Sequence, residues 1–253
     1  MKLENKVALV TGASAGMGNS IGKLFAKEGA SVVLMARRKE KLEELVNQIK
    51  NDNGKAIAVA GDVTNEEDVQ NAIKTAVDTF GKLDIVINNA GIIDKSDPVA
   101  EIPDDIWDAV INVNLTGPMR IFRSAIPEME KNGGGSFVTI ASVAGLNGAR
   151  GGPAYTASKH GVLGLSKNVA FMYAKKNIRS NVIAPGVVMT DMVTSLDNNC
   201  NQEGLDICSQ GIVTSPRPGE PEEVAEVALF LASDEASIVN GAVVTADTGW
   251  TAY

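Results

Sequence analysis

Short apolar runs alternate with longer amphipathic stretches along the whole chain. The apolar runs are rich in Val, Ile, Leu and Ala, have the length of buried strands, and lie at residues 6–10, 31–35, 55–60, 83–87, 136–140, 179–184 and 242–245. Between them, apolar positions recur at helical spacing in residues 17–28, 40–51, 66–80, 104–130, 154–175 and 221–232. This alternation predicts an α/β fold, a doubly wound and mostly parallel sheet with helices on both faces.

The alternation continues without an internal repeat or a long linker, so we expect residues 1–253 to form a single domain. Residues 190–218 fit it poorly, because they are polar, with asparagines near the middle and prolines at the end. A long irregular segment inside a compact domain is usually functional or disordered. Since this one follows directly on a predicted strand, we interpret it as a substrate lid. A solvated surface excursion is the alternative.

The composition is ordinary for a globular protein, with 44% hydrophobic and 21% charged residues. The formal net charge of −8 disfavours nucleic acid as a partner. No apolar run approaches the ~18 residues of a membrane span, and the first residues hold no apolar signal region. Cys200 and Cys208 fit two thiols in a reducing cytoplasm better than a disulfide. With one histidine and no clustered cysteines, we expect no metal site. The two thiols lead us to expect a cytoplasmic protein.

A glycine-rich turn follows the first predicted strand. Residues 11–18 read TGASAGMG, and a helix is predicted to begin within them. Glycine lets the backbone approach a pyrophosphate closely, and the free N–H groups of a helix N-terminus attract its charge. The spacing differs from the GxGxxG of many dinucleotide-binding folds. We predict a phosphate-binding turn formed by Gly12, Ser14, Ala15, Gly16, Met17 and Gly18.

Two further polar turns follow the third and fourth predicted strands. The first contains Asp62 and Val63, and the second contains Asn88, Asn89, Ala90 and Gly91. The carboxyl ends of parallel strands meet at one edge of a sheet, where ligands bind in open α/β folds. Three such turns at one edge are poorly explained as ordinary surface loops.

The end of the second predicted strand bears on which dinucleotide binds. An acidic residue at this point binds the adenosine ribose and repels a 2′-phosphate. Ala36 occupies the position here, and Arg37 and Arg38 follow it with side chains suited to a phosphate. These residues favour NADP(H), with NAD(H) as the open alternative. Both arginines are also compatible with a solvated helix start.

Tyr155 and Lys159 are four residues apart, which on a helix places both side chains on one face. Tyrosine titrates near pKa ~10, so half-ionisation near pH ~8 needs about 2.7 kcal/mol. An ammonium group at ~4 Å supplies on the order of 4 kcal/mol at an effective dielectric constant of ~20. A lysine in this position is therefore sufficient to make the tyrosine a proton donor and acceptor. Such pairs also arise by chance on helix surfaces. Whether this pair is functional therefore has to be judged from the motifs around it.

Taken together, these motifs resemble those of the short-chain dehydrogenase/reductase family, in its compact single-domain branch. The resemblance runs from residue 6 to about residue 249 and rests on an ordered set: the glycine turn, residues 88–91, Asn114, Ser142, Tyr155 with Lys159, and PGVVMT at 185–190. It implies a Rossmann-like fold. It also implies an NAD(P)-dependent oxidoreductase that moves hydride between nicotinamide and a ketone or secondary alcohol.

The resemblance implies a role for each matching residue. Tyr155 would be the general acid in reduction and the base in oxidation, and Lys159 would hold the nicotinamide ribose and lower the tyrosine pKa. Ser142 would bind the substrate oxygen, and Asn114 a water of a proton relay. Beyond the glycine turn and the two arginines, the expected cofactor contacts are Asp62, Val63, Asn89, Ala90, Gly91, Tyr155, Lys159, Pro185, Gly186, Val188, Thr190 and Met192.

The substrate pocket is expected to be mostly apolar, with no arginine or lysine converging on it. Its expected lining is Ser142, Ala144, Asn147, Tyr155 and Val187. This lining favours a neutral or hydrophobic small-molecule ketone: cyclic, steroid-like or a 3-oxoacyl thioester. Since the family commonly forms dimers or tetramers, we expect a homo-oligomer.

Two departures from the family pattern concern the cofactor and the tail. Ala15 stands where many NADP-preferring members have a basic residue, and residues 247–249 read Asp-Thr-Gly where an acidic residue and two glycines are frequent. An NAD-dependent secondary-alcohol dehydrogenase is therefore one alternative. A non-catalytic cofactor-binding sensor or scaffold is the other, although it predicts a broken Ser–Tyr–Lys set.

Overall fold

Seven parallel strands form one sheet in the order β3-β2-β1-β4-β5-β6-β7. The structure, a computed structural model, describes residues 1–190 and 200–252. The strands are β1 Val7–Thr11, β2 Ser31–Ala36, β3 Lys55–Ala60, β4 Ile85–Asn88, β5 Gly135–Ile140, β6 Ile178–Pro185 and β7 Val243–Ala246. The strand order reverses between β1 and β4, which opens a crevice at their carboxyl ends.

Helices connect the strands. They are α1 Gly16–Lys27, α2 Lys39–Asn51, α3 Glu66–Phe80, α4 Asp104–Ile111, α5 Gly117–Lys131, α6 Pro153–Met172, α7 Gln202–Ser209 and α8 Pro221–Ala232. Over the described ranges, no helix is long and apolar enough to cross a membrane.

Alternate residues of each central strand serve two separate apolar cores. Ala8 and Val10 of β1 pack into the core formed with α1, α2 and α8. Val7 and Leu9 point to the opposite face and pack with α3, α5 and α6. Both faces are buried because side chains alternate across a strand, and this is why the strands read as continuous apolar runs. The prediction of a doubly wound, single-domain α/β fold is confirmed.

The prediction of one continuous helix at residues 104–130 is wrong, because the helix is interrupted. A π-helical segment, Asn112–Thr116, separates α4 from α5. A π turn adds one residue to the helical turn and is frequent at functional sites. The apolar spacing on either side remains helical, so the sequence pattern does not reveal the insertion.

Of the segment predicted as a lid, residue 190 and the residues from 200 onwards are described, and Met192 lies outside the described residues. Its second half contains α7 and a 3₁₀ turn, Gln210–Thr214. The Asn201 N–H donates to the carbonyl of Lys95 at 2.8 Å. This bond joins the start of α7 to the chain that leaves β4. The lid function itself stays a prediction.

Candidate active site

The glycine turn is shaped by left-handed backbone conformations. Gly12 and Gly16 have φ angles of +66° and +53°, which L-residues with a side chain rarely adopt. Ala15, the N-cap of α1, is extended and supplies no side-chain cap, and the first turn of α1 holds no acidic residue. The N-terminus of α1 therefore keeps its positive end of the helix dipole, which suits an anionic group.

Two side chains tie this turn to the end of β4. The Thr11 hydroxyl accepts from the N–H groups of Asn89 at 3.0 Å and Ala90 at 3.1 Å. The Asn89 side-chain amide donates to the carbonyls of Thr11 at 2.9 Å and Gly12 at 3.3 Å. A Cβ on Gly18 would lie 2.5 Å from Asn89 Nδ2 and 2.6 Å from the Gly12 oxygen. Gly18 thus packs behind the turn and lets α1 approach it.

The turns at the carboxyl ends of β1 to β4 line one cleft, and Thr190 forms part of its wall. A Cβ on Gly16 would contact the Thr190 side chain at 3.0 Å, so Thr190 borders the glycine turn directly. Of the predicted cofactor contacts, the cleft brings together Gly12, Ser14, Ala15, Gly16, Met17, Arg37, Arg38, Asp62, Val63, Asn89, Ala90, Gly91 and Thr190. Ala36, which the sequence analysis placed at the ribose position, also lines the cleft, and the sequence analysis missed four lining residues: Met35, Gly61, Ile92 and Val113.

The two arginines after β2 differ in how they are held. The Arg38 guanidinium donates to the Ser14 hydroxyl, through Nη2 at 3.0 Å and Nε at 3.3 Å. Arg37 is largely exposed, and its Nη1 lies 4.0 Å from Asp62 Oδ2. Arg38 is therefore fixed against the glycine turn, whereas Arg37 stands in solvent at the cleft rim.

Tyr155, Lys159 and Ser142 come together beside this cleft. Tyr155 and Lys159 are buried on α6, and Lys159 Nζ lies 5.4 Å from the centre of the Tyr155 ring. Lys159 Nζ donates to the Ile140 carbonyl at 3.2 Å. The Ser142 hydroxyl is close enough to the Tyr155 phenol to lower its pKa. Ser142 is held by its own turn, since its Oγ accepts from the Ala144 N–H at 3.1 Å.

Burial shifts the pKa values of the two α6 residues in opposite directions. It raises the pKa of Tyr155, while the Ser142 hydroxyl lowers it and the charge of Asp94 raises it further. Burial lowers the pKa of Lys159 to about 8. That Lys159 lowers the tyrosine pKa stays a prediction.

Asn114 occupies the π segment and is almost fully buried. Its Oδ1 accepts from the Ile92 N–H at 2.9 Å, and its Nδ2 donates to the Ile92 carbonyl at 2.8 Å and to Ser158 Oγ at 3.1 Å. A Cβ on Gly91 would lie 3.4 Å from Asn114 Oδ1 and 3.5 Å from Lys159 Nζ. Asn114 thus joins the end of β4 to α6. The predicted water of a proton relay stays a prediction.

The chain after β6 leaves the same edge of the sheet as Ser142, which follows β5, because β5 and β6 run parallel. Gly186 donates its N–H to the Ala246 carbonyl at 3.0 Å, and Val188 forms a parallel bridge with Gly219. The side chain of Val188 is buried in the core. Near Ser142, Ala144 packs against Tyr155, and Asn147 donates to the Val143 carbonyl at 3.1 Å. β6 ends at Pro185, and Gly186 and Val187 follow it directly. The predicted substrate and nicotinamide residues after β5 and β6 therefore lie at the carboxyl end of the sheet.

A cation near this region escaped the sequence analysis. The Arg150 guanidinium lies 4.3 Å from the ring centre of Trp250, and a Cβ on Gly211 would lie 2.4 Å from its Nη1. Trp250 Nε1 donates to the Gly211 carbonyl at 2.7 Å and to Thr214 Oγ1 at 3.0 Å. The tail, the loop before α6 and the segment after α7 are therefore in contact. The residues that make this contact are far apart in the chain, so sequence spacing does not reveal it.

Comparison with known proteins agrees with this geometry. A family model described as enoyl-(acyl carrier protein) reductase matches residues 12–251. The 3β-hydroxysteroid dehydrogenase 2 of Eggerthella lenta is 41% identical over 252 residues, which cover 99% of this chain and 96% of the relative. The 3-oxoacyl-(acyl-carrier-protein) reductase of Thermotoga maritima is 40% identical, and the match covers 98% of this chain and 99% of the relative.

A solved structure shows the same fold. A candidate NAD(P)-dependent gluconate 5-dehydrogenase of Beutenbergia cavernae, with NADP bound at low occupancy, has a TM-score of 0.89 and 35% identity. The match covers 100% of this chain and 99% of that one.

Fold and relatives together define an NAD(P)-dependent oxidoreductase that acts on CH–OH groups of small molecules. The chain belongs to the short-chain dehydrogenase/reductase family, as its ordered motifs predict.

Proposed function

We propose that this protein is an NADP(H)-dependent reductase of neutral or hydrophobic ketones, with Tyr155 as the proton donor. The observation that carries the proposal is the burial of Ser142, Tyr155 and Lys159 at one site, where the Ser142 hydroxyl acts on the Tyr155 phenol and Lys159 lies one helical turn further along α6. Two hydroxyls in this arrangement can bind one carbonyl oxygen, and one of them can give it a proton. The cofactor supplies the hydride.

The charge states of the residues suit the reductive direction. Because burial raises the pKa of Tyr155, the phenol holds its proton at neutral pH and is available as an acid. Ser142 Oγ accepts from the Ala144 N–H, so its own O–H is free to rotate toward the carbonyl oxygen of a substrate. In the oxidative direction the phenolate acts as the base, which requires a higher pH.

The preference for NADP(H) rests on the end of β2. Arg38 is held by Ser14 at the glycine turn, Arg37 stands at the cleft rim, and Ala36 takes the place of an acidic residue. Two guanidinium groups at this point suit a 2′-phosphate, since guanidinium forms strong charge-assisted bonds with phosphate. Ser14, Arg37 and Arg38 would hold the phosphate, and the N-terminus of α1 would hold the pyrophosphate. NAD(H) with the same chemistry is the alternative.

The substrate class rests on the apolar surroundings of the two hydroxyls. Ala144, Trp107 and Val110 pack around Tyr155, so a charged group next to the reacting carbon would be poorly solvated. The relatives named above include a hydroxysteroid dehydrogenase and a 3-oxoacyl reductase. A cyclic or steroid-like ketone and a 3-oxoacyl thioester therefore head the substrates to test. We also propose that the protein is cytoplasmic and forms a homodimer or homotetramer.

The decisive experiment measures oxidation of NADPH and of NADH with cyclohexanone, a 3-oxosteroid and an acetoacetyl thioester. For each ketone that reacts, Tyr155→Phe should lower kcat by ~10²–10⁴ or more and leave NADPH affinity, measured by fluorescence, nearly unchanged. Tyr173→Phe removes a phenol at the far end of α6 and serves as the matched control. Wild-type turnover in Tyr155→Phe would refute the mechanism and favour the scaffold alternative.

A further inference from the structure

Asp94 is a buried carboxylate to which the proposed chemistry gives no role. Only 2% of its surface is exposed. Its Oδ2 accepts from the backbone N–H of Tyr155 at 2.9 Å, and its Oδ1 accepts from the N–H of Ser96 at 3.3 Å. A carboxylate this deeply buried is costly unless it is hydrogen-bonded, so these two bonds are the reason that it is tolerated.

The carboxylate of Asp94 stands where the N-cap side chain of α6 would be. Gly152 is the N-cap and has no side chain, and Tyr155 is the third residue of the helix. The N–H at that position is the one that an N-cap side chain normally accepts from. A Cβ on Gly152 would lie only 2.2 Å from Asp94 Oδ1. The chain therefore replaces a local cap with a carboxylate from the segment that follows β4.

This segment contacts the catalytic helix along two turns. Gly91 lies beside Lys159. Asn114 forms hydrogen bonds with both the N–H and the carbonyl of Ile92, and Asp94 accepts from the N–H of Tyr155 in the first turn of α6. On its outer side, the Lys95 carbonyl accepts from the N–H of Asn201, just before α7. Asp94 thus lies between the predicted lid and the backbone of Tyr155.

We propose that Asp94 is a positioning residue that caps the catalytic helix and sets the pH range in which Tyr155 exchanges its proton. The proposal rests on the proposed function, because it assumes that Tyr155 transfers the proton. The capping bond fixes the backbone of the tyrosine itself. The negative charge of Asp94, held at the backbone of Tyr155, opposes formation of the phenolate, and Asp94 accordingly raises the pKa of Tyr155.

The other groups around the Tyr155 phenol come from β5, α4, α6 and α7. Ser142, after β5, lowers the pKa of Tyr155 through its hydroxyl. Lys159 lies on the same helix as Tyr155, and the thiol of Cys208 on α7 donates to the Gly151 carbonyl at 3.4 Å. The neighbouring side chains from α4, Trp107 and Val110, are apolar. Within residues 1–190 and 200–252, Asp94 is thus the charged residue that disfavours the phenolate.

The test compares Asp94→Asn with Asp97→Asn, which removes an equal charge three residues along the same segment. Tyrosinate absorbance is followed against pH, and the signal of Tyr155 is assigned as the difference from Tyr155→Phe. Circular dichroism confirms that each variant stays folded over the range. Asp94→Asn should move the Tyr155 ionisation, and the rising limb of alcohol oxidation, to lower pH. Asp97→Asn should leave both unchanged.

Gly152→Ala provides a second variant. Its methyl group overlaps Asp94 and so displaces the carboxylate from the helix end without removing its charge. The ionisation should again move to lower pH, and kcat on the plateau of the profile should fall ~10-fold, as expected for a lost helix cap. If the ionisation and plateau of both variants match wild type, Asp94 has no positioning role. If instead Tyr155→Phe keeps its activity, the proposed function fails on its own.

Discussion

Lys159 Nζ lies 5.4 Å from the centre of the Tyr155 ring, and burial shifts the pKa of each group in the direction that favours its neutral form. Burial lowers the pKa of the lysine to about 8 and raises that of the tyrosine above its ordinary value of 10. A lysine that loses its proton first offers no positive charge to the phenolate. The chain alone therefore favours the protonated tyrosine, and Lys159 can assist ionisation only where further bonds keep it charged.

A buried lysine of this kind costs stability, and the cost depends on pH. Its folded pKa of about 8 lies below the ordinary value of 10.5, so the cost is full below pH 8 and falls away as the pH rises to about 10.5. Lys159→Met should raise the free energy of unfolding by about 3 kcal/mol at pH 7, reduced by the bond it loses to the Ile140 carbonyl. Urea titrations at several pH values measure this. A stability difference that grows with pH would contradict it.

Arg38 should govern the choice between the two dinucleotides. Because a charge-assisted bond to a phosphate is worth ~1.5–3 kcal/mol, Arg38→Ala should raise KM for NADPH ~10- to 100-fold. KM for NADH should change little. Steady-state kinetics with both cofactors checks this, with Lys39→Ala, an exposed neighbour that pairs with Glu43, as the control. Equal losses for NADPH and NADH would show that Arg38 does not read the phosphate.

Gly18 should tolerate no side chain. A methyl group there would overlap Asn89 and the Gly12 carbonyl, and overpacking at a tight contact typically costs ~1–3 kcal/mol. Gly18→Ala should therefore lower the midpoint of thermal unfolding and weaken cofactor binding. Gly164→Ala is the matched control, since a Cβ there meets no atom within 4 Å among the described residues. That variant should be neutral or more stable by up to ~1 kcal/mol.

Trp250 should link the C-terminal tail to substrate binding. It is 5% exposed and stacks on Arg150, so Trp250→Ala should cost ~3–5 kcal/mol in stability. It should also raise KM for the ketone by releasing Arg150 and residues 210–214. Trp250→Phe retains a ring for Arg150 but loses the bond to Gly211, and should show a smaller effect on both. An unchanged KM in Trp250→Ala would separate the tail from the site.

The sequence predicts most of the sheet because both faces of the strands are buried. The runs at 31–35 and 55–60 agree with β2 and β3 to within one residue. Most residues of the cofactor cleft are readable for a related reason, since they follow strand ends and so lie at one edge. Asn114, Tyr155 and Lys159 lie within helical segments and are recognised only by the spacing of the family motifs. Their roles stay predictions until the variants are measured.

What the sequence does not reveal depends on contacts between distant segments. Nothing near Asp94 marks it as the cap of a helix that begins about sixty residues later. The different environments of Arg37 and Arg38 likewise depend on Ser14, which belongs to another turn. Local patterns carry periodicity and turn chemistry, whereas these pairings follow only from the packed chain.

The π segment makes the spacing between α4 and α5 intolerant of change. Because the π turn holds one residue more than an α turn, deleting one residue from Asn112–Thr116 would restore a regular helix and keep the faces of α4 and α5 in register. The bulge that presents Asn114 would be lost, and with it the bonds from Asn114 to Ile92 and Ser158. Chain length through this segment should therefore vary far less among functional variants than amino-acid identity does.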